Sequence, residues 1–418
     1  MQNEKLRGTL AARLEELATT GRSKGKETVI CAVAPARGDD GPRYFVEGEG
    51  DRPFLRMNAN NYLGMGMRAD VVATEAAAAD RFGVGPGAVR FIGGTWSPHV
   101  ALERRLAAFH KRPAAMLFSS AYAAVLGTVA PLITERTAVI SDELNHNCII
   151  NAIALARPAM KHVYKHLDLR ELERGLERAA GECARALVIT DGVFSMRGDY
   201  APLDRIVALA RKYDGAFLEG AIVVADDSHG VGALGESGRG VEEQLRSAPV
   251  DLLVATLGKA FGVNGGYVVG DDTVIRYLRE TSPPYVYSNP IAPAEAAAAH
   301  AAVDMLESPR GLALLEHLRA MTARFKAGLL KLGCETLPGE HPVAPLLTRD
   351  TQRTLALTAG LRKRGVLATG LAYPVVPKGE EEIRFQISAD HTPSDIDFAL
   401  AALSAALSEL DAQSEAAS

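Results

Sequence analysis

Short apolar runs, each closed by polar or small residues, recur through the middle of the chain and alternate with helical periodicity. Runs at 114–118, 137–140, 186–190, 221–225, 252–256 and 265–269 are rich in Val, Ile, Leu and Ala, the pattern of strands buried on both faces. Between them, 70–82, 99–110, 121–132, 147–156, 168–180 and 202–213 repeat apolar residues at helical spacing. This alternation predicts an α/β fold with a mostly parallel sheet covered by helices on both faces. Further on, 292–308, 311–333, 354–365 and 393–411 read as helices, Ile383–Ile387 as a strand, and Asp411–Ser418 as a frayed tail. At the start, Leu6, Leu10, Leu14 and Leu17 predict an amphipathic helix over 1–20 that must pack on something, with Gly21 as its stop. Residues 37–56, around Tyr44-Phe-Val46, predict a hairpin. The expected division is an N-terminal arm (1–58), a large domain (59–300) and a smaller α+β C-terminal domain (301–418).

A chain of 418 residues supports two substantial cores, and 47% hydrophobic with 23% charged residues is ordinary for a globular protein. A net charge of -5 supplies no basic patch, so neither nucleic acid nor an anionic membrane is an expected partner. Cys31, Cys148, Cys183 and Cys334 are scattered without metal spacing, which favours reduced thiols while leaving two disulfides open. No signal peptide opens the chain and no apolar stretch spans a bilayer, so the expectation is a cytoplasmic enzyme.

The chemistry concentrates between Ala221 and Gly266. One apolar run ends in Asp226-Asp-Ser-His229, the next in Thr256-Leu-Gly-Lys259. Ligands of open α/β sheets sit beyond the carboxyl ends of strands, so an acid, a histidine and a lysine are all expected there. A lysine after a strand is ordinarily a solvated surface group. Between apolar residues and glycines, however, Lys259 is placed to form a Schiff base with a carbonyl. Asp226 and His229 alone could be a loop acid and a core histidine. With Lys259 they match what pyridoxal 5'-phosphate (PLP) requires: an amine for its aldehyde and an acid for its pyridine nitrogen. Ser120, Ala121 and Tyr122 precede a helix whose first N–H groups could take the phosphate, or Ser120 could be an N-cap and nothing more. His146 also follows a strand and could lie over an aromatic ring or be a satisfied core residue. Gly83-Val-Gly-Pro-Gly87 alone signals only turns.

Taken in order, Asn60-Asn-Tyr-Leu-Gly64, Val89–Thr95, Ile140-Ser-Asp142 with Leu144-Asn-His146, Thr190–Met196, Asp226–His229, Gly235–Gly240, Thr256–Ala260, Tyr287-Ser-Asn289 and Tyr373–Gly379 resemble the α-oxoamine synthases. These are PLP enzymes of the aspartate-aminotransferase fold (fold type I), and the resemblance runs from about Asn60 to about Ile396. The wording at Thr190–Met196, Tyr373–Gly379 and Ser388–Pro393 lies nearest glycine C-acetyltransferase (2-amino-3-ketobutyrate CoA ligase); 8-amino-7-oxononanoate synthase and serine palmitoyltransferase are also similar.

The resemblance implies that Lys259 is the Schiff-base lysine and the acid–base group at the substrate Cα. It implies that Asp226 is the pyridinium partner, His229 and Ser195 the pair near the ring hydroxyl, and His146 the stacked imidazole. Ala121 and Tyr122 with the Thr256 hydroxyl would hold the phosphate. Ser288 and Asn289 would be delivered from a second subunit, implying a homodimer with shared sites. Arg384 would clamp the substrate carboxylate, and Asn60 and Arg90 would lie near the substrates. The implied reaction joins glycine, or alanine or serine, to an acyl-CoA or acyl-carrier-protein thioester. Lys259 removes the Cα proton, the carbon attacks the thioester, the thiol leaves, and His146 polarises the carbonyl; CO2 loss can follow. Other readings are a decarboxylating synthase with a longer acyl donor, an aminotransferase or aldolase-type lyase, and a silent PLP-fold binding protein. Two departures stand out. Tyr122 is nearer the other synthases than the acetyltransferases, and Gly215–Gly220 lengthens the approach to the Asp226 strand and is expected close to the pocket.

Overall fold

A computed structural model describes every residue except Met1, Gln2, Gly21, Lys24, Pro374 and Ser418. The Gly21 stop therefore lies outside the described residues. Two compact units emerge: residues 60–319 with 339–342, and residues 1–59 with 320–338 and 343–418.

The larger unit is built on seven strands: β1 Ala114–Phe118, β2 Thr137–Asp142, β3 Met160–Tyr164, β4 Arg185–Asp191, β5 Ala221–Asp226, β6 Leu252–Thr256 and β7 Gly266–Gly270. Their order across the sheet is β1-β7-β6-β5-β4-β2-β3. The pairs among β2, β3, β4, β5 and β6 are parallel, while β7 runs antiparallel to both β1 and β6. The mostly parallel sheet of the PLP-dependent fold type I is thus realised. Strand residues are buried nearly throughout, which is why they read as continuous apolar runs rather than as alternation. Met116, Phe118, Val125, Ile149, Ile153, Leu187, Ile189 and Val254 form one apolar cluster between the sheet and the helices Ala121–Val129 and Asn147–Ala156. At about 1.5–3 kcal/mol for each buried large aliphatic side chain, this cluster holds both helix starts against the sheet.

The second unit carries a four-stranded antiparallel sheet in the order Glu335–Thr336, Val343–Leu347, Glu382–Gln386, Thr369–Leu371. Its helices include Thr351–Lys363 and Pro393–Ala417. The hairpin expected over 37–56 forms earlier in the chain, Ile30–Ala34 against Arg43–Val46, so one of its strands lies outside the expected span. Leu55–Arg56 pairs in parallel with Val366–Leu367, and the buried Asp395 carboxylate accepts from Gly41 N (3.0 Å) and pairs with Arg43 (2.7 Å). These ties attach residues 1–59 to the C-terminal unit. The division falls inside the helix Pro309–Lys331 rather than at 300, because Pro293–Glu307 packs on Ala69–Phe82 and Ser97–Phe109 of the large unit.

Three further expectations differ from the structure. The N-terminal helix spans Glu4–Thr19 but buries no residue, and Leu6, Leu10 and Leu14 are exposed. The C-terminal backbone is helical through Ala417 rather than frayed from Asp411, because Ala, Gln and Glu there favour a helix. The Gly215–Gly220 segment enters β5 at Ala221, the end opposite Asp226, roughly 16 Å away along extended chain. It is tied there by Ala186 N to Gly220 O (3.1 Å) and by an Arg185–Glu219 ion pair (2.7 Å). It does not line the candidate pocket, so its expected position there is corrected. Among the described residues no helix is long and apolar enough to cross a membrane.

Candidate active site

Because β2, β4 and β5 run parallel and in register, their last residues reach one edge of the sheet together. Asp191 pairs with Asp226 directly across β4 and β5. Beyond that edge a cleft is lined by Ala121, Tyr122, His146, Cys148, Asp191, Val193, Ser195, Asp226, Ser228, His229 and Lys259. Seven of the residues expected from the sequence therefore meet in one place.

Asp226 is buried, and its Oδ1 accepts from Ser228 N at 3.1 Å. The adjacent Asp227 turns the other way: it accepts from Val241 N (2.8 Å), and its carboxylate would meet a Cβ at Gly192, Gly230 or Gly240. Burial, partly opposed by that backbone hydrogen bond, holds its pKa well above the usual carboxylate range. Asp227 braces loops, whereas Asp226 faces the cleft. His229 Nδ1 shares a 2.7 Å hydrogen bond with the Tyr62 hydroxyl, and its carbonyl oxygen lies 2.8 Å from His341 Nε2. Tyr62 in turn reaches Asn60 Oδ1 at 3.4 Å, which places Asn60 one residue removed from the His229 ring.

His146 is the N-cap of the helix Asn147–Ala156. Its Nδ1 accepts from Cys148 N at 3.3 Å and lies 2.9 Å from Cys148 Sγ, so the ring proton belongs on Nε2. Partial burial lowers the His146 pKa; Asp226 raises it and Lys259 lowers it, with a net shift downward. The ring is therefore neutral near pH 7 and offers an Nε2–H donor. Asp191 Oδ2 accepts from His146 N at 3.0 Å. Burial and the neighbouring Asp226 charge push the Asp191 pKa well up.

At the other side of the cleft Ser120 caps the helix Ala121–Val129, accepting from Ala123 N at 3.1 Å. The first N–H groups of a helix have no carbonyl within it to bond, so those of Ala121 and Tyr122 point outward as anion donors. Thr256 Oγ1 donates to Gly265 O (3.2 Å) and accepts from Gly258 N (3.0 Å), shaping the turn before Lys259 rather than lining the cleft. Lys259 itself is half-buried on the cleft wall.

The donor set suits PLP. An acid, a lysine amine, an imidazole and free helix N–H groups converge, and the buried Ser228 Oγ on the cleft wall has no hydrogen-bond partner. The backbone approach is equally close: a Cβ at Gly266 would sit 2.3 Å from Ala121 N.

Some expected residues lie elsewhere. Arg90 is buried outside the cleft. Its guanidinium donates to Glu103 at 3.1 and 3.2 Å and to Thr95 at 2.9 Å, while Arg279 pairs with the same Glu103 at 3.0 Å. With Nε and both terminal nitrogens donating to protein acceptors, Arg90 is held in the scaffold and does not line this chain's cleft. Ser288 and Asn289 are exposed and do not line their own chain's cleft. Arg384 stands on the Glu382–Gln386 strand of the other unit, where its Nη1 lies 2.9 Å from the Gln386 amide oxygen. Sequence reasoning missed Tyr62, Cys148, Asp191 and Ser228. Tyr62, Asp191 and Ser228 sit inside stretches that carried a recognised neighbour and Cys148 lies two residues after His146, but only the folded register turns these side chains inward. All four cysteines are free.

Residues 52–403 match the model of the aminotransferase class I and II family. The chain belongs to that family. It is 40% identical over 348 residues to 8-amino-7-oxononanoate synthase of Petrotoga mobilis, covering 83% of this chain and 86% of that protein. It is 39% identical over 394 residues to the mitochondrial 2-amino-3-ketobutyrate coenzyme A ligase of Bos taurus, covering 94% and 90%. The structure of SPT with PLP superposes with a TM-score of 0.83 at 26% identity, over 95% of this chain and 96% of that one. Within the family the chain is a PLP-dependent α-oxoamine synthase, an acyltransferase.

The close contact at Gly266 yields a prediction. Gly266→Ala forces β7 away from the start of the helix Ala121–Val129 and destabilises the enzyme by about 1–3 kcal/mol. PLP affinity falls with it, as equilibrium dialysis and urea unfolding would show; unchanged affinity would contradict the placement of that helix.

Proposed function

We propose that this synthase joins a small amino acid, glycine in the first place, to an acyl-CoA thioester and releases CoA. The observation that carries the reading is the convergence of Lys259, Asp226, His146 and His229 with the Ala121–Tyr122 helix start on one cleft. Bound PLP supplies an electron-withdrawing ring that stabilises negative charge at the amino-acid Cα. Asp226 keeps the pyridine nitrogen protonated, and the N–H groups of Ala121 and Tyr122 hold the phosphate. His229 and Ser195 orient the ring hydroxyl. The Lys259 amine takes the Cα proton and later returns one. His146 donates its Nε2 proton to the thioester carbonyl as charge develops on that oxygen.

Glycine with a short acyl donor is supported by the near end-to-end likeness to the 2-amino-3-ketobutyrate ligase. The comparable likeness to 8-amino-7-oxononanoate synthase supports a second reading, with alanine, a longer acyl donor and loss of CO2. A panel of glycine, alanine and serine against acetyl- and longer acyl-CoAs, read by thiol release, separates them. The expected maximum is glycine with a short acyl group. Amino transfer to a keto acid with no thiol release from any pair would instead make the enzyme an aminotransferase.

A homodimer with shared sites belongs to the same proposal. Ser288 and Asn289 sit beside Tyr287, which is 81% exposed, and Phe91, in the Val89–Thr95 stretch, is 69% exposed. Such apolar exposure marks an interaction surface. Sedimentation at assay concentrations is expected to give a dimer; an active monomer would remove the role given to Ser288.

A further inference from the structure

Away from the cleft, one histidine is held by acids on both sides. His166 follows β3; its Nδ1 lies 3.1 Å from Asp142 Oδ1 and its Nε2 lies 3.3 Å from Asp199 Oδ2. An ionised carboxylate can only accept, so a ring filling both contacts carries a proton on each nitrogen and is an imidazolium. The surroundings fix both acids. The Asp142 side chain is fully buried and also accepts from the backbone N–H groups of Leu144 (2.8 Å) and Leu167 (2.9 Å). Asp199 Oδ2 also accepts from Arg197 Nε at 2.8 Å. Phe194 packs edge-on to the His166 ring, with centroids 4.4 Å apart. The other charged neighbours are Glu143, whose Oε1 accepts from His166 N at 3.0 Å, and Lys165, which pairs with Glu143 at 2.8 Å.

The two acids belong to the two segments that carry cofactor-facing residues. Asp142 ends β2 and opens the loop to His146. Asp199 closes the hairpin that bears Val193 and Ser195: Phe194 N donates to Asp199 O at 2.9 Å, and Val193 bridges Tyr200. We propose that His166 is a positioning residue, a doubly protonated bridge that holds the His146 loop against the Ser195 hairpin and thereby sets one wall of the PLP cleft. The inference rests on reading His146 and Ser195 as cofactor contacts.

The titration behaviour agrees. Burial works against the charged ring, but the hydrogen bonds and charges of Asp142 and Asp199 outweigh it and push the His166 pKa up to about 9. The folded pKa is raised above the unfolded value, so the bridge stabilises fully below about pH 6.5 and is lost as pH rises through about 9.

Ring-labelled 15N NMR of the PLP-loaded enzyme tests the protonation directly, with His166→Gln identifying the resonances. Both His166 nitrogens are expected to be protonated near neutral pH and to titrate at about pH 9; a neutral tautomer near neutral pH overturns the proposal. PLP affinity measured by equilibrium dialysis across the same range tests the positioning role. In the wild type, affinity is expected to fall as His166 loses its proton. Asp199→Asn keeps an acceptor but removes a charge, so the midpoint of that fall should move down by about one pH unit. A midpoint unmoved by Asp199→Asn, or an affinity indifferent to pH, overturns this inference alone. A wild type that binds no PLP at any pH would instead overturn the reading of the site, and this inference with it.

Discussion

The backbone hydrogen-bond ladder joining β2, β4, β5 and β6 is the constraint on which the rest of the molecule depends. Parallel strands in register end at one edge, so whatever residue closes each strand is delivered there regardless of its distance along the chain. Asp142, Asp191, Asp226 and Thr256 occupy those ends. Three carboxylates at one sheet edge repel one another, and each is stabilised separately. Asp142 accepts from backbone N–H groups and pairs with His166, Asp191 accepts from His146 N, and Asp226 accepts from Ser228 N. Raised pKa, in the case of Asp191, further relieves the repulsion. Asp191 and Asp226 both line the cleft, and the proposed site gives the ligand-facing role to Asp226.

Helix starts complete the arrangement. Ser120 and His146 each cap a helix that begins at this edge, one turning free N–H groups outward and the other fixing an imidazole tautomer. The Cys148 N–H that satisfies Nδ1 leaves the Nε2 proton available, so a capping interaction also specifies a chemical role. The helix Ala121–Val129 can approach β7 so closely only because Gly266 has no side chain.

Much of this was legible in the amino-acid sequence. Buried parallel strands announce themselves as apolar runs, and the polar residues closing 221–225 and 252–256 named Asp226, His229 and Lys259 before any fold was known. What stayed hidden depended on direction rather than residue type. Nothing in the wording of Val89–Thr95 reveals that the Arg90 guanidinium turns toward Glu103. Gly215–Gly220 looked close to Asp226 in sequence, yet a strand carries its two ends apart, and the segment lies at the far edge of the sheet. Asp191 and Cys148 were overlooked because a single acid or thiol is unremarkable until its neighbours across the ladder are known. The N-terminal arm joined the C-terminal unit through Leu55–Arg56 pairing with Val366–Leu367, a long-range contact that local periodicity does not encode.

On the proposed function, these strand ends present Lys259 to the aldehyde of PLP. Borohydride reduction of the PLP-loaded enzyme, followed by peptide mass mapping, tests it most directly. A single phosphopyridoxyl group on the peptide containing Lys259, absent from Lys259→Ala, is the predicted result. Labelling of a different lysine, or no labelling of the loaded wild type, would contradict it.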